Sequence, residues 1–592
     1  MSRWTPSVAL FALIVPGAPA LAAVASGASG PVPGAVVGSA NPVVATPPVS
    51  VPDEAPCVVT LYSGATFGAN AVDFSYSPAA CPGPWAKVVF STDLSLNAGR
   101  QYDRTQTVWL GGVNLLFGTT AEPSSGFGPA WHVERDVTDY TALFKTAQQG
   151  RVLIANYQNA TYTSTITATG RLLFYPATAR YPAPKTADMV IPLGSDAVGA
   201  TVALNSGSDR YAKTLTLPRN IEGARLDLYQ QSQNADEFWY TCVPDAQATN
   251  MQECGGGSFR EGAVRIDDMA AASAPIYPWI YTGGIDPYLW RVLPGVQTLA
   301  FEPTKIDLTA FAGLLDDGRP HTLSLQTIGA NNYFSVTGAL LLTLDHGASV
   351  LGGSVLADTL TFPQANVSTA ENGSGDNYSG RIVTTAAHDW RISGVLRTSH
   401  GIVATTTASH IGFTNTAVTN VVAGFVNQSS DQTTDWQQTT WTVGPDGLTT
   451  TQRLEHDPLH LTLSYGTVSA DGTQTQATTL TQGRQTQSFG WHNLRLVEAA
   501  ATSENVAPSS TLTFPPSGPY THSGDHSTAT YAQVALGASL LPNCLRRDFA
   551  SAAGVLTVAA QTTNCLALLQ AAPSVAAALG AVTTGHAQAP AP

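Results

Sequence analysis

A chain of 592 residues, 43% hydrophobic and only 11% charged, has the material for large buried cores and lies far from the composition of a disordered polyelectrolyte. Its formal net charge of −14 excludes the basic face that a nucleic acid partner requires. By length, about three or four domains are expected.

The first residues have the form of an export signal. Arg3 gives a positive start, residues 8–15 are an apolar run, and Ala20-Leu21-Ala22 is a small-residue cleavage site. Residues 1–22 therefore read as a signal peptide and the protein as secreted or periplasmic. That run is well short of the ~20 apolar residues a membrane span needs, and no later segment reaches that length, so no membrane partner is expected. Residues 23–56 are rich in Pro, Gly and Ala and carry no charge until Asp53, the composition of a linker. Order is expected to begin near Cys57. The six cysteines fall into three close pairs, Cys57 and Cys81, Cys242 and Cys254, and Cys544 and Cys565. Disulfides suit an exported chain, and short closed loops contribute roughly 2–4 kcal/mol each. Six cysteines still allow 15 pairings, so spacing leaves the connectivity open.

From Cys57 onward the chain reads as short strands separated by turns. Residues 86–91, 107–113, 152–157 and 171–175 have strand composition, and a short helical piece runs from Thr138 or Asp139 through Leu143 and Phe144. Evenly spaced strands with one short helix predict an antiparallel sandwich or jelly roll over residues 57–180. A proline-bearing joint at 176–184 leads into a second strand-rich unit, residues 181–345, with strands at 225–230, 323–326 and 338–344. Residues 346–565 change to long Thr-, Ser-, Gln- and Asn-rich strands such as 435–443. Their alternation of polar and apolar residues, expected to about residue 500, marks a C-terminal β-rich domain. The Ala-rich end, 566–592, reads as a frayed tail. The chain is expected to be all-β and monomeric.

Three ordered blocks carry a specific resemblance. The first is Arg100-Gln101-Tyr102-Asp103-Arg104, then Val108-Trp109-Leu110-Gly111-Gly112-Val113, Thr120-Ala121-Glu122-Pro123, and Trp131 to Tyr140. The second is Asn234-Ala235-Asp236-Glu237-Phe238-Trp239-Tyr240. The third runs from Pro278-Trp279 through Tyr281, Gly283, Gly284 and Tyr288 to Trp290-Arg291. Together they resemble the peptide:N-glycanase A family, acid-active amidases that release Asn-linked glycans from glycopeptides. The resemblance implies a catalytic core of two tandem antiparallel β-sandwich or jelly-roll domains with the site in the groove between them, and it permits glycans with core α1,3-fucose as substrates. N-glycosylated peptides and glycoproteins become the expected partners.

The chemistry of such a cleavage is amide hydrolysis. Water must be activated against the side-chain carbonyl, the oxyanion stabilised and the departing glycosylamine protonated, which two carboxylates in unlike environments accomplish with no cofactor or metal. The resemblance assigns these roles to Asp103 and Glu237. Arg104 is expected to orient Asp103 or steady the oxyanion, while Glu122 is a third acid that binds sugar or braces the turn before Pro123. Tyr102, Trp239, Tyr240, Trp279, Tyr281, Tyr288 and Trp290 are candidate sugar platforms, with Arg291 beside them, because aromatic faces pack on the apolar face of a pyranose. His456 and His460 have metal-like spacing, but Pro458 breaks the helix on which such a pair would face one ion. A non-catalytic carbohydrate-binding protein and an endo-acting glycoside hydrolase use the same residue types and stand as alternatives.

Overall fold

The computed structural model describes residues 32–122, 124–536 and 542–565; the expected signal peptide, Pro123 and the Ala-rich tail lie outside them. The first unit comprises β1 (Cys57–Thr66), β2 (Val72–Tyr76), β3 (Trp85–Leu96), β4 (Thr105–Leu110), β5 (Val113–Thr119), β6 (Ala130–Asp136), β7 (Gln148–Ile154) and β8 (Ile166–Pro176). These pair into two antiparallel four-stranded sheets, β1-β8-β3-β6 and β2-β7-β4-β5. Strict alternation in β8 buries every second residue, which turns Ile166, Ala168, Leu172 and Phe174 into one apolar face. That face closes over Phe90, Leu116 and Phe144. The expected helical piece is two 3₁₀ turns, Thr138–Tyr140 and Leu143–Lys145.

The second unit has β9 (Met189–Pro192), β10 (Val202–Leu204), β11 (Arg210–Leu215), β12 (Ile221–Gln233), β13 (Glu261–Ile266), β14 (Met269–Pro275), β15 (Thr304–Asp307), β16 (His321–Ile328) and β17 (Tyr333–Leu344). One sheet runs β10-β17-β12-β15, with β9 also on β17, and the other β11-β16-β13-β14. The loop after β12 holds a helix unanticipated from sequence, α1 (Asp245–Met251).

The third unit is a single 11-stranded antiparallel sheet. It contains β18 (Gly352–Asp358), β19 (Asn366–Ser374), β20 (Asn377–Thr398), β21 (Gly401–Val422), β22 (Phe425–Gly444), β23 (Gly447–Thr467), β24 (Gln474–His492), β25 (Arg495–Phe514), β26 (Thr521–Leu536), β27 (Pro542–Ala552) and β28 (Val555–Thr562). Its longest strands have 22 residues and reach roughly 70 Å. Trp390, Phe413, Leu459 and Leu480 sit on the face that packs against the second sandwich. Strand structure thus continues past residue 500, to Thr562. The three disulfides join Cys57 to Cys81, Cys242 to Cys254 and Cys544 to Cys565.

Two loops knit these units together. The segment between β14 and β15 runs along the open edge of β5: Thr119 N donates to Thr298 O (2.9 Å) and Phe301 N to Phe117 O (2.7 Å). A sheet edge is thereby paired instead of exposed. On its other side, Gln482 of β24 donates to Pro278 O (2.8 Å) and accepts from Val296 N (2.9 Å). The loop after β12 is clasped in the same way. Tyr240 O accepts from Asn415 Nδ2 (2.8 Å) and Ser430 Oγ (2.9 Å), and Met251 O from Gln428 Nε2 (2.8 Å).

Residues 32–56 correct an expectation. They are no free linker, and order begins well before Cys57. Val32 and Ala45 are buried, and the segment lies against the edge strand β28 through Gly38 N to Leu556 O (2.7 Å) and Leu556 N to Ser39 O (2.9 Å). Arg547 donates to Thr46 O (2.6 Å), and Thr46 Oγ1 donates to the buried carboxyl of Glu504 (2.6 Å). Proline and small residues suited to a linker are equally suited to a strap that must lie flat in a seam. The strap roofs a cavity of about 1160 Å³, whose wall includes Trp131, Glu134, Gln297 and Arg453.

Candidate active site

Asp103 lies just before β4 and Glu122 just after β5, so one hairpin holds both at the same rim. Glu237 comes from the second sandwich, where β12 ends in a 3₁₀ turn over Asn234–Asp236. The two rims are brought together by Gln231 and Gln233 of β12, each of which donates to Thr105 Oγ1 at 3.2 Å. Gly283, on the edge-pairing loop, sits between Asp103 and Glu122. Any Cβ there would collide with Oδ1 of one and Oε2 of the other. Thr282 Oγ1 fixes that approach by donating to Thr120 O (2.7 Å).

The adjacent acids Asp236 and Glu237 have opposite surroundings. Asp236 is fully buried and accepts from Arg260 Nη2 (2.7 Å), Arg260 Nε (3.0 Å), Asn331 N (2.9 Å) and Asn332 N (2.7 Å). It pins the turn. Burial, followed by the charge of Asp103, pushes Glu237 up to about 7. Glu122 also rises to about 7 through burial and then Asp103, opposed by Arg291, the Asp103 backbone N–H and Arg100. Asp103 rises less, to about 6: burial raises it, while its own and Gly283's backbone N–H groups and the charge of Arg104 lower it. Glu122 and Glu237 are each raised by the charge of Asp103, so the three carboxyls titrate as a linked set and not as independent acids.

The expected roles of the neighbours need revision. Arg104 acts on Asp103 by charge, but its guanidinium donates to Gln101 Oε1 (2.8 Å) and lies 3.4 Å from the Tyr102 ring centre. Trp239, Tyr240, Trp279, Tyr281 and Trp290 are each no more than 5% exposed. Core packing covers them, so they are not open sugar platforms. Trp279 stacks on Phe301 at 4.2 Å, and Trp290 Nε1 donates to Gly284 O (2.9 Å) to shape the Gly283 loop. The Tyr281 hydroxyl donates to Ser232 O within the field of Glu237 and Asp103. Tyr102 does reach solvent, 38% exposed with Tyr162 edge-on at 4.7 Å. Tyr288 is half-buried, with Arg291 4.1 Å and the His522 ring 3.6 Å from its own ring. Gly283 was within the third block but unmarked as a site residue; a glycine pair in an aromatic-rich run was its signal.

His456 and His460 lie on β23 and pair separately, His456 Nδ1 with Asp435 (2.8 Å) and His460 with Asp431. Among the described residues no three His, Cys, Asp or Glu side chains converge closely enough to hold an ion.

Acids of raised pKa thus meet at the seam of two β-sandwiches, a place where ligand clefts are favoured. Residues 42–351 match the family described as peptide N-acetyl-beta-D-glucosaminyl asparaginase amidase A, and the chain belongs to that family. It is an amidase. A peptide-N4-(N-acetyl-beta-glucosaminyl)asparagine amidase A from Prunus dulcis is 28% identical over 395 residues, covering 63% of this chain and 68% of the relative. Among solved structures, the glycosylasparaginase PNGase F from Flavobacterium meningosepticum overlaps 48% of this chain and 95% of its own, with a TM-score of 0.33 at 12% identity. PNGF-II overlaps 49% of this chain and 65% of its own, with a TM-score of 0.34 at 12% identity.

Proposed function

We propose that the chain hydrolyses the side-chain amide of N-glycosylated asparagine in peptides and proteins, leaving aspartate and releasing the glycan as a glycosylamine that loses ammonia in water. The observation that carries this reading is the convergence of Asp103 and Glu122 on Gly283, with Glu237 in electrostatic contact, in a chain of this family. Asp103 takes a proton from water as its oxygen attacks the amide carbon. Glu122 or Glu237, each still largely protonated below about 7, donates to the departing nitrogen. Tyr281 and the Gly283 loop hold the acids in position. Arg104 tunes Asp103 through space.

An acidic optimum follows, because one carboxyl must be ionised while another keeps its proton. Above about pH 7 the donor is lost. Export by residues 1–22, maturation in an oxidising compartment and acceptance of core α1,3-fucose belong to the same reading, the second supported by the three disulfides. The test is mass spectrometry of a defined glycopeptide, with and without core α1,3-fucose, after incubation at pH 5. Asn converted to Asp supports the amidase. A peptide that keeps one sugar identifies a glycosidase, and an intact glycopeptide a binding protein.

A further inference from the structure

The family match ends at residue 351, yet residues beyond it pack against the rim of the candidate site. Where β25 turns into β26, the third sheet reaches the rim that carries Arg291 and Glu122. Tyr520 stands edge-on to Tyr288 at 6.4 Å, and Phe514 lies 5.7 Å from Tyr520. These are the open rings of the group, Tyr520 48% and Phe514 37% exposed. A closed circuit holds the hairpin in place. Asp286 accepts from Tyr288 N (2.9 Å) and is influenced by Ser510, whose hydroxyl donates to Asp525 (3.2 Å). Asp525 in turn holds His522, which stacks on Tyr288. Between the two exposed rings the turn reads Pro515-Pro516-Ser517-Gly518-Pro519, so little backbone freedom remains to be lost on binding.

Resting on the amidase reading, we propose that Phe514 and Tyr520 form a shelf that binds pyranose rings of the glycan beyond the sugar joined to asparagine. An exposed aromatic face takes the apolar face of a pyranose, while the neighbouring Arg291, Glu122 and phenol groups take its hydroxyls. A peptide is the poorer fit. It would add to an open strand edge, and β26 is paired on both sides by β25 and β27. The shelf thus makes the third sheet a specificity element of a reaction performed by the two sandwiches.

The experiment compares wild type with Tyr520→Ala, Phe514→Ala and Tyr520→Phe on two glycopeptides of one peptide sequence, one with chitobiose and one with a full high-mannose glycan. Calorimetric binding of the free high-mannose glycan is measured in parallel. The Ala variants raise KM for the full glycan by about 3- to 10-fold, leave kcat and the chitobiose KM unchanged, and weaken free-glycan binding by a similar factor. Tyr520→Phe keeps most of the affinity. Unchanged KM, or a KM that follows peptide length instead of glycan length, overturns the shelf. So does failure of the wild type to bind the free glycan. Binding that depends on Tyr520 without any Asn-to-Asp conversion instead overturns the amidase reading and leaves the shelf standing.

Discussion

Two groups of buried carboxyls in this molecule respond alike to burial but stand in different surroundings. At the seam of the third sheet, Asp457 and Glu504 are both pushed up to about 7, chiefly by burial, as are Glu122 and Glu237 in the cleft. The seam group is surrounded by cations. Arg484 donates to Glu455 Oε2 (3.0 Å), Arg453 pairs with the same carboxyl, and the strap covers Glu504 through Thr46. At the Asp103 site, Arg104 lies 3.4 Å from the Tyr102 ring centre and Arg291 4.1 Å from that of Tyr288, and they act on Asp103 and Glu122 by charge. A raised pKa alone therefore does not mark a catalytic acid. What distinguishes the second group is its place between the two sandwiches, where Asp103 and Glu122 close on Gly283.

Asp103→Asn breaks the comparison most directly. It keeps the side-chain shape but removes the base, so kcat falls by about 10²- to 10⁴-fold with an unchanged melting curve. Asp457→Asn in the seam leaves kcat within about twofold. The neighbouring acids Asp236 and Glu237 separate in the same manner. Asp236→Ala strands the buried Arg260 and destabilises the fold by about 3–5 kcal/mol, read by denaturant unfolding. Glu237→Gln lowers kcat more than affinity and leaves stability alone, read by steady-state kinetics and calorimetry. Gly283→Ala pushes the carboxyls of Asp103 and Glu122 apart; kcat/KM falls about 10- to 100-fold in a protein that still folds.

The smallest effect is on stability against pH. A carboxyl whose folded pKa lies above its unfolded value keeps a proton in the folded state that the unfolded chain releases. Its contribution is thus most favourable below about pH 4 and is lost as pH rises to about 7. Glu504→Gln removes one such group, so its melting temperature gains on wild type at pH 8 relative to pH 4, measured by thermal denaturation at both. A profile that moves the opposite way would place a counter-charge at Glu504.

Alternation of polar and apolar residues made the all-β class readable, as in residues 435–443 of β22. Asp103, Glu122 and Glu237 were legible because their flanking residues resemble a known family. The aromatics beside them were misread for a physical reason. Trp239 and Trp290 neighbour the motif in sequence, but each side chain points into the core, and local sequence does not say which face of an irregular loop is covered. Phe514 and Tyr520 were invisible for the converse reason, since only tertiary docking brings them to the rim. The strap was hidden by its composition: buried Val32 and Ala45 are spaced among prolines with no period to betray them.

That strap sets an order on assembly. Its anchors at Glu134, Val292, Glu504, Arg547 and Leu556 all follow it in the chain, and Arg547 stands 501 positions beyond Thr46. A ribosome delivers domains from the N-terminal end, so the sandwiches form while the strap still has no seam to enter. Only after β28 has emerged does the binding surface for residues 32–49 exist. Made long before β28, the strap is thus seated only after it, and its seating records that the third sheet has formed as far as that strand.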